Sequence, residues 1–410
     1  MDSNIINDIS SPPGSSSKEE NDGIMNQFQE TLYKIENNDP SLNKLTMGHL
    51  GLITGDFAKL GSHIATNTHL SGFTVDYRNS AKLDDVHTDF FEGIKTNSSI
   101  RRLYLFCGHR CMSSRVIHET LKAYQTNNNL TRLIISEASS FQAPVFTTLQ
   151  RNANLHYIHL ECCNITDEQV LPLCEALREN NSSLLELNLF GNNIGDVGCL
   201  ALVALLENPK CNLYTLECSN NNISSMGAIT MANSLSKNTK LFRLCLNNNQ
   251  ITSPNPHLEA ALNRVLCNTS SIKATYSSNH TIASFTWNWG TQYLGNQLTE
   301  VLKLNKGFNK SHVAIKKILK YHRIDMEPLY DWDEDGEWTL KALPYVVSWF
   351  EKAERAAPKI SYDDFEEVEY EEELEYYDVD ERKVSAIYQF AKAMPLMFKG
   401  IVALDIMDVE

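Results

Sequence analysis

No apolar run in this chain approaches the roughly eighteen residues that a bilayer-spanning helix needs, so no transmembrane segment is expected. The first twenty residues hold Pro12-Pro13-Gly14-Ser15-Ser16-Ser17 and lack the apolar core of a secretory leader; residues 1–24 are expected to form a disordered tail. Basic charge is also scarce. The formal net charge is −15, and the run from Tyr362 to Glu381 supplies twelve acidic residues and no basic one, so the rest of the chain carries only −3. A near-neutral body excludes a nucleic-acid surface of the usual basic kind. Enzymatic signatures are missing as well: the sequence contains no P-loop, no His-Glu-x-x-His, no Gly-x-Ser-x-Gly and no glycine-rich dinucleotide loop opening a helix. No catalytic residue and no cofactor is therefore assigned, and too few residues precede Leu42 for an F-box-like segment.

The ten cysteines, all between Cys107 and Cys267, follow neither a zinc nor a disulfide spacing. Cys174, Cys199 and Cys218 occupy apolar positions of a pattern described below, where a thiol acts as a small hydrophobe. Core thiols point to a reducing compartment, and the expected location is the cytoplasm, with the nucleus as the other candidate.

What the chain has in abundance is one repeated phrase: an apolar residue, two free positions, an apolar residue, one free position, an apolar residue. Its clearest copies are Leu184-x-x-Leu187-x-Leu189-x-x-Asn192-x-Ile194, Leu213-x-x-Leu216-x-Cys218-x-x-Asn221-x-Ile223 and Leu241-x-x-Leu244-x-Leu246-x-x-Asn249-x-Ile251. Starts are read at Leu42, Leu70, Ile100, Leu130, Leu155, Leu184, Leu213, Leu241 and Ile272, at intervals of 25 to 31 residues. Units of this length bury their apolar faces only by stacking on one another. The Leu-x-Leu alternation predicts a short strand. Between phrases the period changes: Val170, Leu173, Cys174, Leu177 and then Cys199, Leu202, Val203, Leu206 recur at i, i+3, i+4, i+7, which predicts a helix at a constant offset. The asparagine at the ninth position (Asn192, Asn221, Asn249, with Cys163 in its place one repeat earlier) is expected to satisfy backbone groups where the chain leaves the strand.

On these residues, 155–251 resemble the ribonuclease-inhibitor type of leucine-rich repeat, down to Gly198-Cys199-Leu200-Ala201-Leu202-Val203 and Asn208-Pro209-Lys210-Cys211-Asn212-Leu213. The resemblance implies an α/β horseshoe solenoid, with parallel inner strands and outer helices, and a protein-binding role, since most members bind other proteins. The chain divides accordingly into the tail 1–24, a capping helix in 25–41, about nine repeats in 42–285, a helical C-terminal unit in 286–358, an acidic linker in 359–382 and an amphipathic helix in 383–410.

In such a repeat the third, fifth and seventh residues of each phrase face the concave side. Those singled out as partner-binding are Arg102, Tyr104 and Phe106; Arg132 and Ile134; Tyr157, His159 and Glu161; Glu186 and Phe190; and Glu217. Aromatic side chains clustered on a solvated sheet face, with arginine beside them, have the composition of a binding hot spot. The basic members lie toward one end and the acidic members toward the other, a polarity that orients a partner. His159 has no nucleophile paired with it and carries no catalytic assignment.

In the C-terminal unit, helical stripes are read over Leu294–Leu302, Ser311–Leu319 and Trp338–Ala353, with capping of the last repeat as their role. Asp331-Trp332-Asp333-Glu334-Asp335-Gly336 matches the first half of a calcium loop, but the twelfth position is Ala342 rather than a bidentate glutamate. Without that ligand, Asp331, Asp333 and Asp335 read as solvated carboxylates at a glycine turn, and no metal is assigned. The function expected is a protein-interaction scaffold that uses its concave face, with no membrane or nucleic-acid partner and no legible oligomer interface. The competing expectation is a GTPase-activating protein, because Ran-GTPase activators are similar in having these repeats followed by an acidic region; here a helical unit precedes the acidic run and another helix follows it.

Overall fold

The computed structural model describes residues 29–47, 57–76, 88–108, 115–127, 129–138, 143–180, 183–287, 295–307, 309–321, 330–332 and 338–340. The chain forms two compact units, Met1–Leu213 and Tyr214–Glu410. The expected tail, the acidic run and the terminal amphipathic helix lie outside the described residues.

In the first unit residues 29–36 are helical (α1). Six strands follow, β1 (Lys44–Met47), β2 (Gly72–Asp76), β3 (Arg102–Phe106), β4 (Arg132–Ser136), β5 (Tyr157–Glu161) and β6 (Glu186–Asn188). Helices α2 (Phe57–Thr66), α3 (Thr88–Thr96), α4 (Arg115–Asn127), α5 (Ala143–Arg151) and α6 (Asp167–Asn180) lie between them in the chain, and α7 (Asp196–Leu206) follows β6. Successive strands pair in parallel and in chain order. This strand–helix alternation is the α/β leucine-rich-repeat arrangement. It follows from the phrase itself: Leu103 and Leu105, Leu133 and Ile135, Ile158 and Leu160, and Leu187 and Leu189 turn to one face and are fully buried. The helices close over them with Ile94, Leu121, Leu149, Leu173 and Leu202, so each repeat places its core between its own strand and helix. Each such side chain contributes about 2 kcal/mol, but only once a neighbouring repeat covers it.

Two features fix how closely the repeats stack. A β-carbon on Gly93 would fall 2.0 Å from the Gly61 carbonyl oxygen, so α2 and α3 approach backbone to backbone through this glycine pair. A buried asparagine also stands three residues ahead of several phrases. Asn97 Nδ2 donates to the carbonyls of Ile64 and Asn67, at 2.7 and 2.8 Å, while its Oδ1 accepts from the amides of Ser99 and Ile100. Asn152 Nδ2 donates likewise to Tyr124 and Thr148. The side chain ties the end of one helix to the start of the next strand, where the chain turns and backbone groups would otherwise be orphaned.

The second unit begins with β7 (Thr215–Glu217), α8 (Ser225–Ser234), β8 (Arg243–Cys245) and α9 (Pro256–Leu266). Here one sequence expectation is overturned. The phrase assigned at Ile272 forms a short helix, α10 (Ile272–Tyr276), and the strand paired with β8 is β9 (Ser284–Thr286). The true ninth phrase is Ile282-x-x-Phe285-x-Trp287, and all three of its apolar residues are buried. Asn279 stands three residues before it, with Nδ2 donating to Leu235 and Asn238 and Oδ1 accepting from Thr281 and Ile282. Position 269, three before the false phrase, is a threonine.

Beyond β9, α11 (Asn296–Asn305) buries Leu298, Val301 and Leu302 and packs on α9, and α12 (Lys310–Tyr321) packs on α10 and α11. Lys317 on α12 is fully buried. Its ammonium donates to the carbonyls of Leu266 at 2.5 Å and Asn279 at 2.9 Å and meets His280 Nδ1 at 3.1 Å. His280 Nε2 lies 2.9 Å from the Tyr276 carbonyl, so the ring carries its proton there and Nδ1 accepts from the lysine. Burial holds Lys317 down to about 7, and burial together with the adjacent Lys317 holds His280 down to about 4. The start of the third helical stripe, expected over Trp338–Ala353, is also corrected: Trp338–Leu340 is strand β11, antiparallel to β10 (Tyr330–Trp332), and 341–353 lie outside the described residues. Pairing with β10 wins there over the helical period. Of the half calcium loop, Asp331 lies in β10, while Asp333 and Asp335 lie outside the described residues.

Candidate functional site

The face of each sheet turned away from its helices is built by the period of two. Residues alternating with the buried leucines turn to this face, most of them half-exposed or exposed and, in the first unit, Gly72, Asp76 and Ser136 buried, and parallel register sets them in rows across the strands. In the first unit one row runs Lys44, Gly72, Arg102, Arg132, Tyr157, Glu186. The next runs Thr46, Thr74, Tyr104, Ile134, His159, Asn188, and a third runs Asp76, Phe106, Ser136, Glu161. Ten of the eleven residues chosen from sequence belong to this unit, and nine of them occupy these rows. Phe190 follows β6 by two residues, its amide donating to Asn188 Oδ1 at 2.9 Å. Glu217 belongs to the second unit.

Several of the chosen side chains already have internal work. The Arg132 guanidinium lies over the Tyr157 ring, 4.4 Å from its centroid, so the ring takes one face of the cation and leaves the N–H edges outward. His159 sits between two carboxylates, with Nε2 3.0 Å from Glu186 Oε1 and Nδ1 3.7 Å from Glu161 Oε1. Nε2 is enclosed and makes no directed hydrogen bond. Asn188 Nδ2 donates to Glu161 Oε1 at 2.7 Å. The acidic end of the face is thus a bonded cluster. Tyr104, Phe106 and Ile134 remain half-exposed beside it.

Apart from Arg243, exposed in the row with Thr215 and Ser284, the face in the second unit has smaller side chains. Glu217 Oε1 accepts from the Ser219 amide at 2.6 Å, Asn247 Nδ2 donates to Thr286 Oγ1 at 2.8 Å, and Ser219 Oγ accepts from the Asn247 amide at 3.0 Å. Burial, aided by Glu217, pushes the Cys245 thiol up to about 12, which leaves it protonated and unreactive. Burial does the same to Cys107, Cys174 and Cys199, each raised to about 12. Nine cysteines among the described residues are thiols outside any disulfide.

Where the chain leaves the strand, the ninth-position asparagines act on the backbone. Asn192 Nδ2 donates to Leu160 and Leu189 while its Oδ1 accepts from Cys163 and Ile165, and Asn249 bonds Cys218, Leu246 and Ile223 in the same way. They are structural ladders, not ligand groups. No cluster of metal-ligating side chains is found among the described residues, and no described helix is long and apolar enough to cross a membrane.

Sequence reasoning missed Lys44 and Gly72, which share a row with Arg102 and Arg132. Lys44 is the third residue of the Leu42 phrase, so applying the same positional rule to that phrase would have found it.

Residues 151–174 and 180–203 each match the family model described as leucine-rich repeat. No curated protein matches the chain. Among solved structures, an internalin from Listeria monocytogenes is similar at 15% identity and a TM-score of 0.23, over 59% of this chain and 91% of that one.

Proposed function

We propose that the first unit's sheet face is the concave surface on which this chain holds a protein partner, through Arg102, Tyr104, Phe106, Arg132, Ile134, Tyr157, His159, Glu161, Glu186 and Phe190. The observation that carries this reading is the strip of Tyr104 and Ile134, half-exposed in register, flanked by Phe106 and by the stacked Arg132–Tyr157 pair. Rings and guanidiniums held in place by their neighbours lose little rotamer freedom on binding, which is what makes them anchors. Leucine-rich repeats generally mediate protein–protein interaction, and the two matched segments border this face. The role is non-enzymatic and needs no cofactor. Buried thiols outside any disulfide support residence in a reducing compartment, the cytoplasm or the nucleus. Glu217, bonded within its own smaller-chained face, contributes least.

The test compares proteins captured by the intact chain with those captured by a Tyr104→Ala, Tyr157→Ala, Phe190→Ala triple variant of matched folded content. Loss of specific captured proteins supports the reading; an unchanged set overturns it. Acceleration of GTP hydrolysis by a small GTPase on adding the chain would replace it with the activator reading.

A further inference from the structure

The acids and the cations of this face are not treated alike. Glu161 accepts from Asn188, Glu186 lies against His159, and Asp76 is buried with only 4% of its surface exposed. The cations have no such partners. Lys44, Arg102 and Arg132 make no ion pair among the described residues, although Arg102 and Arg132 are directly opposed on adjacent strands, where like charges repel. Between Lys44 and Arg102 stands Gly72, which is buried. A β-carbon there would lie 3.3 Å from Lys44 Cγ and 4.0 Å from its Cδ, so the lysine stem leans across the glycine. Among the described residues the face therefore sets its acids against neighbours or inside the fold and leaves a short row of cations without an ion pair. Arg132 is set in orientation by Tyr157, and the strip of Tyr104 and Ile134 runs alongside in the next row.

Resting on the protein-binding reading above, we propose that Lys44, Arg102 and Arg132 bind the carboxylates of an acidic segment of the partner protein, with Tyr104 and Ile134 taking an apolar residue of the same segment. Guanidinium edges match a carboxylate in the bidentate fork geometry, and the Lys44 stem, resting over Gly72, adds its ammonium to the same row. A protein segment fits better than a nucleic acid, because the cations fill one short row and the carboxylates of Asp76, Glu161 and Glu186 lie on the same face.

Binding is measured with the full chain by fluorescence anisotropy, using a short labelled peptide in which glutamates alternate with leucine and phenylalanine. The same peptide with glutamine for glutamate, an oligonucleotide of matching charge, and a peptide of residues 362–381 are compared with it. The glutamate peptide should bind, weaken as salt rises, and lose about tenfold or more in affinity in an Arg102→Gln, Arg132→Gln variant. Gly72→Val, which displaces the Lys44 stem and keeps every charge, should weaken it as well. Lys210→Gln, which removes a charge at an exposed loop residue, should leave it within about twofold. Equal weakening by Lys210→Gln, equal binding of the glutamine peptide, or preference for the oligonucleotide would overturn the proposal. Binding of the 362–381 peptide more tightly than the designed one would overturn it too, by giving the row to the chain's own acidic run. If the acidic peptide fails while the aromatic triple variant still loses its captured proteins, only the ligand chemistry is wrong and the face stands.

Discussion

The two units place the same repeat under different side chains. In the first, the sheet face bears large residues, Arg102, Tyr104, Ile134, Tyr157 and His159, and polar connections inside the stack are made by asparagine. In the second, the face bears one large side chain, the exposed Arg243, among Thr215, Glu217, Cys245, Ser284 and Thr286, several of these hydrogen-bonded to one another or to the backbone beside them, and the end of the stack is tied by a buried lysine and a histidine. The repeat fixes where a face lies, and the choice of side chain decides whether that face has anything left to offer a partner. A face whose polar groups are satisfied locally has little reason to desolvate against another protein.

The comparison can be broken or sharpened at several points. The largest effect is expected from Gly93→Ala in the first unit, where the new methyl group would meet the Gly61 carbonyl at 2.0 Å. A loss of about 3 kcal/mol in denaturant unfolding is predicted, whereas Gly295→Ala in the second unit, 3.6 Å from a flexible glutamate, should cost far less. Next come the helix-end asparagines. Asn97→Leu and Asn279→Leu each strand two carbonyls and two amides, and each should cost about 2–3 kcal/mol in its own unit. Similar losses would show that the two stacks share one tie.

A pH titration then separates the units. His280 has its folded pKa depressed to about 4 from 6.5, so between those values the unfolded chain binds more protons than the folded one. Stability from this group is present above pH 6.5 and is lost as pH falls toward 4, by about 2 kcal/mol between pH 7 and pH 5. His280→Gln should flatten that slope for the second unit. An unaltered slope would remove the histidine from the account. The smallest effect is expected from Tyr157→Leu, which loses the Arg132 stack and about 0.5–1 kcal/mol of stability, while costing far more in partner capture.

Much of this was legible in the sequence, for reasons particular residues make plain. A strict alternation such as Arg102-Leu103-Tyr104-Leu105-Phe106 assigns each side chain to a face without ambiguity, so strand positions and the candidate face could be read directly. The Ile272 phrase misled because α10 is inserted into its repeat, and a search for constant period favours the false phrase over Ile282. The asparagine three residues ahead marks the true one. Contacts across strands were not legible. That His159 falls between Glu161 and Glu186, or Arg132 over Tyr157, depends on register between segments some thirty residues apart in the chain. Lys317 was hidden for a different reason: in an amphipathic helix a lysine reads as solvent-facing, and only the carbonyls left at the end of α9 and at Asn279 give it a place inside.

The central claim is that the first unit's sheet face, and not the second's, holds the partner. It is tested most directly by placing a photo-activated cross-linking residue at Ile134 or at Thr286 and irradiating each full-length variant with its captured partner. The account predicts a covalent adduct from position 134 and none from 286. Adducts of equal yield from 286, or from a third probe at Leu200, 59% exposed on the outer helix α7, would contradict it.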